Sequence, residues 1–394
     1  MKASDYIVSF ISERGVDIVF GYIGGMITHI VDSLARSEKV RYIQTYHEQT
    51  ASIAAEGFAI ENGKFGVAIS TSGPGATNMM TGIADAYFDS IPVLYITGQV
   101  NSYEYKYDKP IRQQGFQETD IISIVKPITK YAAFVDDAKN LRYELEKAIH
   151  IATTGRKGPV VVDIPKDCQN RSYFFDYDPT SDVSIRSYNP TVFGHKGQVK
   201  RAAKLLCDAK KPVMLIGGGV VQGNATQEIM TIAKKLNLPV ASTLMGISGY
   251  PCSDSQYLGM LGMHGLYEAN EALHHSDVIF AVGTRFADRA TNKVSKFCPE
   301  ATIIHIDVDP ASISKTVQAH VPIVGDAKTV LNQVIQALNE MDAKVNPSLY
   351  AWWTQIEEYR AKKCLSYKKP ENIIRPQEVI ECISRLSQDR KSVV

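Results

Sequence analysis

Tyr46-His47-Glu48 follows a strand-like stretch, residues 40–45, and precedes a run whose small or apolar positions 51, 54, 55, 58 and 59 share one helical face. A carboxylate at such a strand-to-helix junction lies on the carboxyl edge of a parallel sheet, where open α/β folds bind ligands. Glu48 could equally complement the helix dipole in its first turn, and the segment taken alone favours that plainer role. A second stretch, Thr71-Ser72-Gly73-Pro74-Gly75-Ala76-Thr77-Asn78, puts glycines directly after a strand. Glycines there let the backbone approach a ligand, and the helix that follows offers free N–H groups.

These residues need a sheet to hold them. Short apolar runs alternate with helical periodicity, the signature of βα units and a parallel sheet. Residues 65–71 (FGVAIST), 91–97 (IPVLYIT) and 160–164 (VVVDI) read as strands of a first domain, residues 1–169. Residues 170–192 lose periodicity, gain Ser, Asp, Pro and Tyr, and read as a linker. A second βα series fills residues 193–345, with strands expected at 213–216, 240–243, 278–282 and 302–306 and a Gly217-Gly218-Gly219 turn after the first. Residues 346–394 bring a helix bearing Trp352 and Trp353, a second helix at 375–389, and Ser392-Val393-Val394 as the first residues of a strand.

The bulk properties exclude several classes of function. A chain of 394 residues is long enough for two or three α/β domains. A net charge of +1 argues against a nucleic-acid partner, and small substrates suit it better. The six cysteines are scattered without a C-x-x-C pair, so neither a zinc site nor a disulfide framework is expected. Residues 1–17 are amphipathic and carry Lys2, Asp5, Glu13 and Arg14, unlike a signal peptide. No apolar run approaches the roughly 18 residues needed to span a bilayer. A cytoplasmic protein is expected.

The ordered series matters more than any member of it. Phe20-Gly21-Tyr22-Ile23-Gly24-Gly25, Tyr46-His47-Glu48-Gln49, Ala55-Glu56-Gly57 and the 71–78 run are followed by Thr97-Gly98-Gln99-Val100, Phe116-Gln117-Glu118 and Pro165-Lys166-Asp167. Together they resemble the pyrimidine-binding domain of thiamine-diphosphate enzymes, specifically the acetolactate (acetohydroxyacid) synthases. The later motifs resemble that family's central, FAD-binding domain: Thr243-Leu244-Met245-Gly246, Gly262-Met263-His264-Gly265, Gly283-Thr284-Arg285-Phe286-Ala287-Asp288-Arg289, His305-Ile306-Asp307 and Gly325-Asp326-Ala327. The resemblance implies an α/β fold of two doubly wound parallel-sheet domains, with the family's third domain essentially missing.

It also implies roles. The glutamate matching Glu48 hydrogen-bonds N1′ of the cofactor's aminopyrimidine, so that the ring's own amino group can take the proton from the thiazolium: acid–base catalysis routed through a cofactor. Gly24, Gly25, Thr71, Pro74, Asn78 and Gln117 match cofactor-lining positions, and Phe116, Gln117 and Lys166 face the substrate. Gly217, Gly218, Gly219, Thr243, Leu244, Met245, Gly262, Met263, His264, Gly283, Arg285, Arg289, Asp307 and Asp326 match flavin-contacting stretches. Read without the resemblance, Lys166 is an exposed loop lysine, His264 a satisfied histidine, and Arg285 and Arg289 surface ion-pair partners.

The implied activity is decarboxylation of pyruvate and joining of its two-carbon unit to a second 2-keto acid, with thiamine diphosphate, FAD and Mg²⁺. A homodimer or homotetramer and a regulatory subunit are implied partners. The family's magnesium anchor is a Gly-Asp-Gly motif that this sequence lacks, so no metal ligand is expected in it and the chain alone is expected to be inactive. The other readings are a non-catalytic FAD-binding or assembly fragment and a related 2-keto acid decarboxylase. Three departures stand out: Ile23 in place of the usual proline, Gln114-Gly115 in place of Asp-Ala, and Ala287 in place of aspartate.

Overall fold

The computed structural model describes residues 1–172, 185–369 and 372–387, and the expected strand start at 392–394 lies outside them. The chain divides into two compact units. The first comprises Met1–Gly194 with Val308–Pro310 and Val324–Asp326, and the second comprises His195–Asp307, Ala311–Ile323 and Ala327–Val394.

The first unit is built on β1 (Ile18–Gly21), β2 (Arg41–Gln44), β3 (Gly66–Ser70), β4 (Val93–Gln99), β5 (Tyr131–Phe134) and β6 (Val160–Pro165), in the order β2-β1-β3-β4-β6-β5. Its strand pairs are parallel. The central strands β3, β4 and β6 are buried at every position, as apolar runs without alternation require when helices cover both faces. Successive residues feed opposite cores. Val67 and Ile69 pack with Tyr6, Phe10 and Leu145, while Ala68 packs with Ala55, Ala59 and Ile83.

The second unit repeats the plan with β7 (Pro212–Ile216), β8 (Val240–Ser242), β9 (Tyr257–Met260), β10 (Val278–Val282), β11 (Thr302–Asp307) and β12 (Val321–Val324), in the order β12-β11-β10-β7-β8-β9. Strands β7 to β11 pair in parallel. The helix Leu349–Arg360 carries the expected tryptophans, and buried Trp352 donates its indole N–H to the Pro212 carbonyl at 3.1 Å, tying the helix to the start of β7. The two doubly wound parallel-sheet domains expected from the sequence are present.

The differences are local. Four strands, β1, β5, β9 and β12, are four residues long and lack any pattern that separates them from loop. The described end of the expected linker is not loose. Tyr188 donates to the Thr154 carbonyl at 2.8 Å and accepts from half-buried Lys130 at 3.0 Å, so this stretch packs on the first unit. No helix among the described residues is long and apolar enough to cross a membrane.

Candidate active site

In the first sheet the chain steps from β1 outward to β2 and then returns to the other side of β1 for β3. The winding reverses between β1 and β3, which opens a crevice outside their carboxyl ends. The loops after those two strands meet there. Met26 N–H donates to Thr71 Oγ1 at 3.2 Å, and a Cβ built on Gly24 would lie 2.3 Å from Thr71 Cβ. Gly25 faces open space.

Glu48 opens the helix Glu48–Asn62, but it is not the residue that caps it. His47 precedes the helix, and its Nδ1 accepts from Gln49 N–H at 3.1 Å. The Glu48 side chain is buried and turns to the helix Pro74–Asn78, where Asn78 Nδ2 donates to Oε2 at 2.9 Å. A Cβ on Gly75 would come within 3.1 Å of Glu48 Oε1 and 2.7 Å of Thr71 Cγ2, so a side chain there would fill the space beside the carboxylate. Glu48, Thr71, Gly75 and Asn78 thus form one cluster drawn from β2 and β3. A carboxylate has about four acceptor positions, and the Asn78 bond uses one. Glu48 also lies in the first turn of its helix, where a carboxylate complements the dipole.

The loop before Glu118 closes over the same turn. Gly73 adopts φ +62°, and its Cβ would lie 2.8 Å from the Gln117 carbonyl oxygen and 2.9 Å from Gln117 Cβ. Gln117 itself has φ +61°, and Phe116 beside it is 78% exposed. Buried Glu118 holds this loop, accepting from the backbone N–H groups of Lys106 at 2.7 Å, Gln114 at 2.6 Å and Gly115 at 3.1 Å. The sequence places Glu118 in a motif but not in this role, because one of its donors lies twelve residues away. Gly115 also has a reason. A Cβ would stand 2.9 Å from Val100 Cγ1, so the loop sits closer to β4 than an alanine would allow.

Pro74 is exposed at the start of its helix. Lys166 starts the helix Lys166–Asn170 after β6, on the same edge of the sheet. His29 feels its charge: burial, then Lys2 and Lys166, hold that imidazole below its ordinary pKa.

Two further carboxylates, Asp163 and Glu56, were given no role by the sequence, although Glu56 lies in the Ala55-Glu56-Gly57 motif. Asp163 on β6 is fully enclosed and accepts from Thr97 Oγ1 at 2.6 Å and Gln99 Nε2 at 2.9 Å. Burial pushes its carboxyl up to about 7. Gln99 Nε2 also donates to the Thr119 carbonyl at 2.7 Å, linking that carboxyl to the Glu118 loop. Two turns along from Glu48, Glu56 shares a cluster with Asp85 and Asp89, their carboxylate oxygens within 4.8 Å of one another. Burial first, then those two neighbours, raise Glu56 to about 7.

The second unit places its expected residues in the same way, each after a strand. In sheet order they are Asp326 after β12, Asp307 ending β11, Gly283 after β10, Gly217 after β7, Thr243 after β8 and Gly262 after β9. The reversal of winding falls between β10 and β7, where the Gly283 and Gly217 loops touch. The glycine run also packs the two loops together. Gly217 N–H donates to the Val282 carbonyl at 2.9 Å and Gly219 N–H to the Gly283 carbonyl at 3.0 Å. A Cβ on Gly217 would lie 2.2 Å from that Gly283 oxygen, and one on Gly218 would lie 3.0 Å from Met245 Cβ. The glycines therefore pack one loop on the other, and two of the three N–H groups are already bonded.

Around this junction Leu244, Met245, Met263, His264, Arg285 and Arg289 are exposed, and Gly262, at φ +107°, lies under the Arg289 carbonyl. Asp326 stands apart, at the far end of the edge, and groups with the first unit. Buried His305 on β11 bonds the Thr284 carbonyl through Nε2 at 2.8 Å, and burial lowers its pKa to about 4.

Comparison with known proteins agrees with both units. Residues 1–124 match the family described as thiamine pyrophosphate enzyme, N-terminal TPP binding domain, and residues 199–334 match thiamine pyrophosphate enzyme, central domain. The chain is 45% identical over 393 residues to the acetolactate synthase large subunit of Haemophilus influenzae, covering 100% of this chain and 68% of that protein. It is 46% identical over 389 residues to the acetolactate synthase isozyme 3 large subunit of Escherichia coli, covering 98% and 67%. With the acetolactate synthase of Mycobacterium leprae the identity is 42% over 387 residues, covering 98% and 61%. The chain spans about two thirds of the length of these relatives. With the Glu48 crevice and two doubly wound sheets in place, the chain belongs to the acetolactate synthase large-subunit family of thiamine pyrophosphate enzymes.

Proposed function

We propose that this chain supplies the aminopyrimidine side of the active site in an acetolactate-synthase-type carboligase. The reaction would decarboxylate pyruvate and join the two-carbon unit to a second 2-keto acid. The observation that carries the reading is the buried Glu48 carboxylate. Its Oε2 is held by Asn78, and its Oε1 faces a turn where Gly75 leaves room that a side chain would fill.

Thiamine diphosphate, when bound, supplies the carbon nucleophile and the electron sink that decarboxylation of a 2-keto acid requires. The chain's own residues do the rest. Glu48 Oε1 would share a proton with a ring nitrogen of the cofactor, and Asn78 holds the other carboxylate oxygen, leaving Oε1 toward the Gly75 turn. Thr71, Pro74 and Gly75 shape the wall of the crevice, with Gly24 and Gly25 opposite. Phe116 and Gln117, on the loop held by Glu118, would cover the reacting end when the cofactor is bound. Lys166 lies farther along the edge, where its charge would attract a 2-keto acid carboxylate.

In the second unit we assign FAD to the junction between the Gly217 and Gly283 loops. Arg285 and Arg289 offer two guanidinium groups to a diphosphate, and His264 a ring nitrogen. Exposed Leu244, Met245 and Met263 suit a flat aromatic ring. Gly218, Gly219, Thr243, Gly262 and Asp307 complete the assignment. Mg²⁺ belongs with the diphosphate and takes no ligand from this chain. A regulatory subunit, a dimeric or tetrameric state and a cytoplasmic location belong to the same proposal.

The test is acetolactate formation from pyruvate with thiamine diphosphate, Mg²⁺ and FAD, by the chain alone and with the remaining third of an acetolactate synthase large subunit added. Product only in the mixture is expected. A mixture that assembles but makes no acetolactate would overturn the reading.

A further inference from the structure

Three carboxylates from two helices of the first unit converge. Glu56 lies on the helix Glu48–Asn62, and Asp85 and Asp89 lie on the helix Met80–Asp89. The helices touch at Gly82, where a Cβ would run into Ser52 Oγ. At 3.6 residues per turn, Glu56 stands about one turn beyond Ser52, and Asp85 and Asp89 about one and two turns beyond Gly82. The three side chains therefore extend one line of contact, and their carboxylate oxygens lie within 4.8 Å of one another. Glu56 is only 5% exposed, whereas Asp85 and Asp89 open to solvent.

Acidic groups often gather without a ligand, so a second feature decides the matter. Tyr95, on β4, is fully buried, and its Oη finds no hydrogen-bond partner among the described residues. It faces the same carboxylates: burial first, then the charges of Glu56 and Asp85, raise its phenol well above the ordinary value. Glu56 Oε2 is buried without a partner as well. Buried polar atoms left unbonded are rare in folded proteins, and carboxylates this close disfavour one another's ionisation. One positive ion would answer both needs.

We propose that Glu56, Asp85 and Asp89 bind a hard divalent cation of the calcium class, with Tyr95 Oη accepting from a water on that cation. Calcium takes oxygen ligands at about 2.3–2.6 Å, so oxygens around it stand at most about 5 Å apart, as these can. The donors are all oxygen, which suits calcium better than zinc or copper. The exposed side leaves its remaining positions to water. Glu56, raised to about 7, holds a proton near neutral pH that the cation would displace. The cation would fasten the helix that opens with Glu48 to the helix that follows Asn78. It would thereby steady the two segments that carry the Glu48–Asn78 bond, apart from any cation that travels with a diphosphate.

The experiment titrates calcium chloride into the whole chain, stripped with EDTA and free of thiamine diphosphate, and follows it by calorimetry. One equivalent should bind with a dissociation constant of about 1 mM or below, the weak end of the range for calcium sites. Glu56→Gln and Asp85→Asn should each weaken binding by at least about tenfold, since each removes a charged ligand. Tyr95→Phe, which removes the acceptor for the bound water, should weaken it by about tenfold. Glu61→Gln, an exposed carboxylate on the same helix, should change it by no more than about twofold. Asp85 is on the surface, so its variant keeps the test open if Glu56→Gln does not fold. No saturable uptake by about 10 mM calcium, or equal binding by all three site variants, would overturn the proposal. The titration contains no cofactor, so its failure leaves the Glu48 reading standing.

Discussion

Asn78 donates to Glu48 across 2.9 Å, joining the first residue of one helix to the last of another thirty positions on. The two residues follow different strands, β2 and β3, which lie on opposite sides of β1. The bond therefore closes the crevice at the reversal of winding, and it fixes which carboxylate oxygen faces the Gly75 turn.

If that bond positions a buried carboxylate, Asn78→Ala should cost about 1.5–3 kcal/mol, the usual size for a lost hydrogen bond to a charged group. In a Glu48→Leu background, where no acceptor remains, the same change should cost less than about 1 kcal/mol. Urea denaturation of the four variants measures this. Equal cost in both backgrounds would show that Asn78 and Glu48 are uncoupled.

Glu118 should matter to the loop and little to the sheet. Glu118→Ala removes one acceptor shared by three backbone N–H groups. Hydrogen exchange at Lys106, Gln114 and Gly115 is expected to rise about tenfold or more, while β3 and β4 keep their protection. Unchanged exchange in those three amides would remove Glu118 as the anchor of Phe116 and Gln117.

Asp163 makes a prediction about pH. Its folded carboxyl is raised from 3.8 to about 7 by burial. The native state then holds a proton that the unfolded chain has released, so stability falls as pH rises through that window and levels off above it. Asp163→Asn removes the effect. Relative to the unaltered chain, the variant should gain stability steadily from pH 4 to pH 7 and gain nothing further at higher pH. A difference independent of pH across that range would contradict the assignment.

Gly283 should tolerate no side chain. At φ +59° its Cβ would lie 2.6 Å from Gly219 Cα, a backbone atom that cannot swing aside. Gly283→Ala is expected to destabilise the second unit by about 3 kcal/mol or more, combining strain at positive φ with overpacking. Denaturation followed at Trp352 and Trp353 reads that unit directly. A loss below about 1 kcal/mol would mean that the two loops separate easily.

Much of this was legible in residue order. Buried parallel strands such as β4 and β6 open on continuous apolar runs, and Glu48 and the 71–78 turn follow strands, so the edge that holds them follows from the βα alternation. Other features depend on neighbours that no local pattern names. Glu118 is an anchor only because Lys106 and Gln114 fold back to it. Gly217 and Gly219 follow β7 as a phosphate turn would, but their packing on Gly283 depends on β10, far away in sequence. Strand β1, four residues long and running into a glycine-rich motif at Phe20, reads as part of the loop that follows it. Tyr188 sits in a stretch with linker composition, and its anchoring depends on Lys130, far away in sequence.

The account turns on Glu48 sharing a proton at Oε1. Glu48→Gln keeps an acceptor for Asn78 and removes the proton-sharing carboxyl. With the remaining third of the large subunit, thiamine diphosphate, Mg²⁺ and FAD all supplied, the initial rate of acetolactate formation is the decisive measurement. The account predicts at least about a hundredfold loss, the scale of a missing acid–base group, with folding stability kept to within about 1 kcal/mol. A variant that forms acetolactate at the unaltered rate would contradict it.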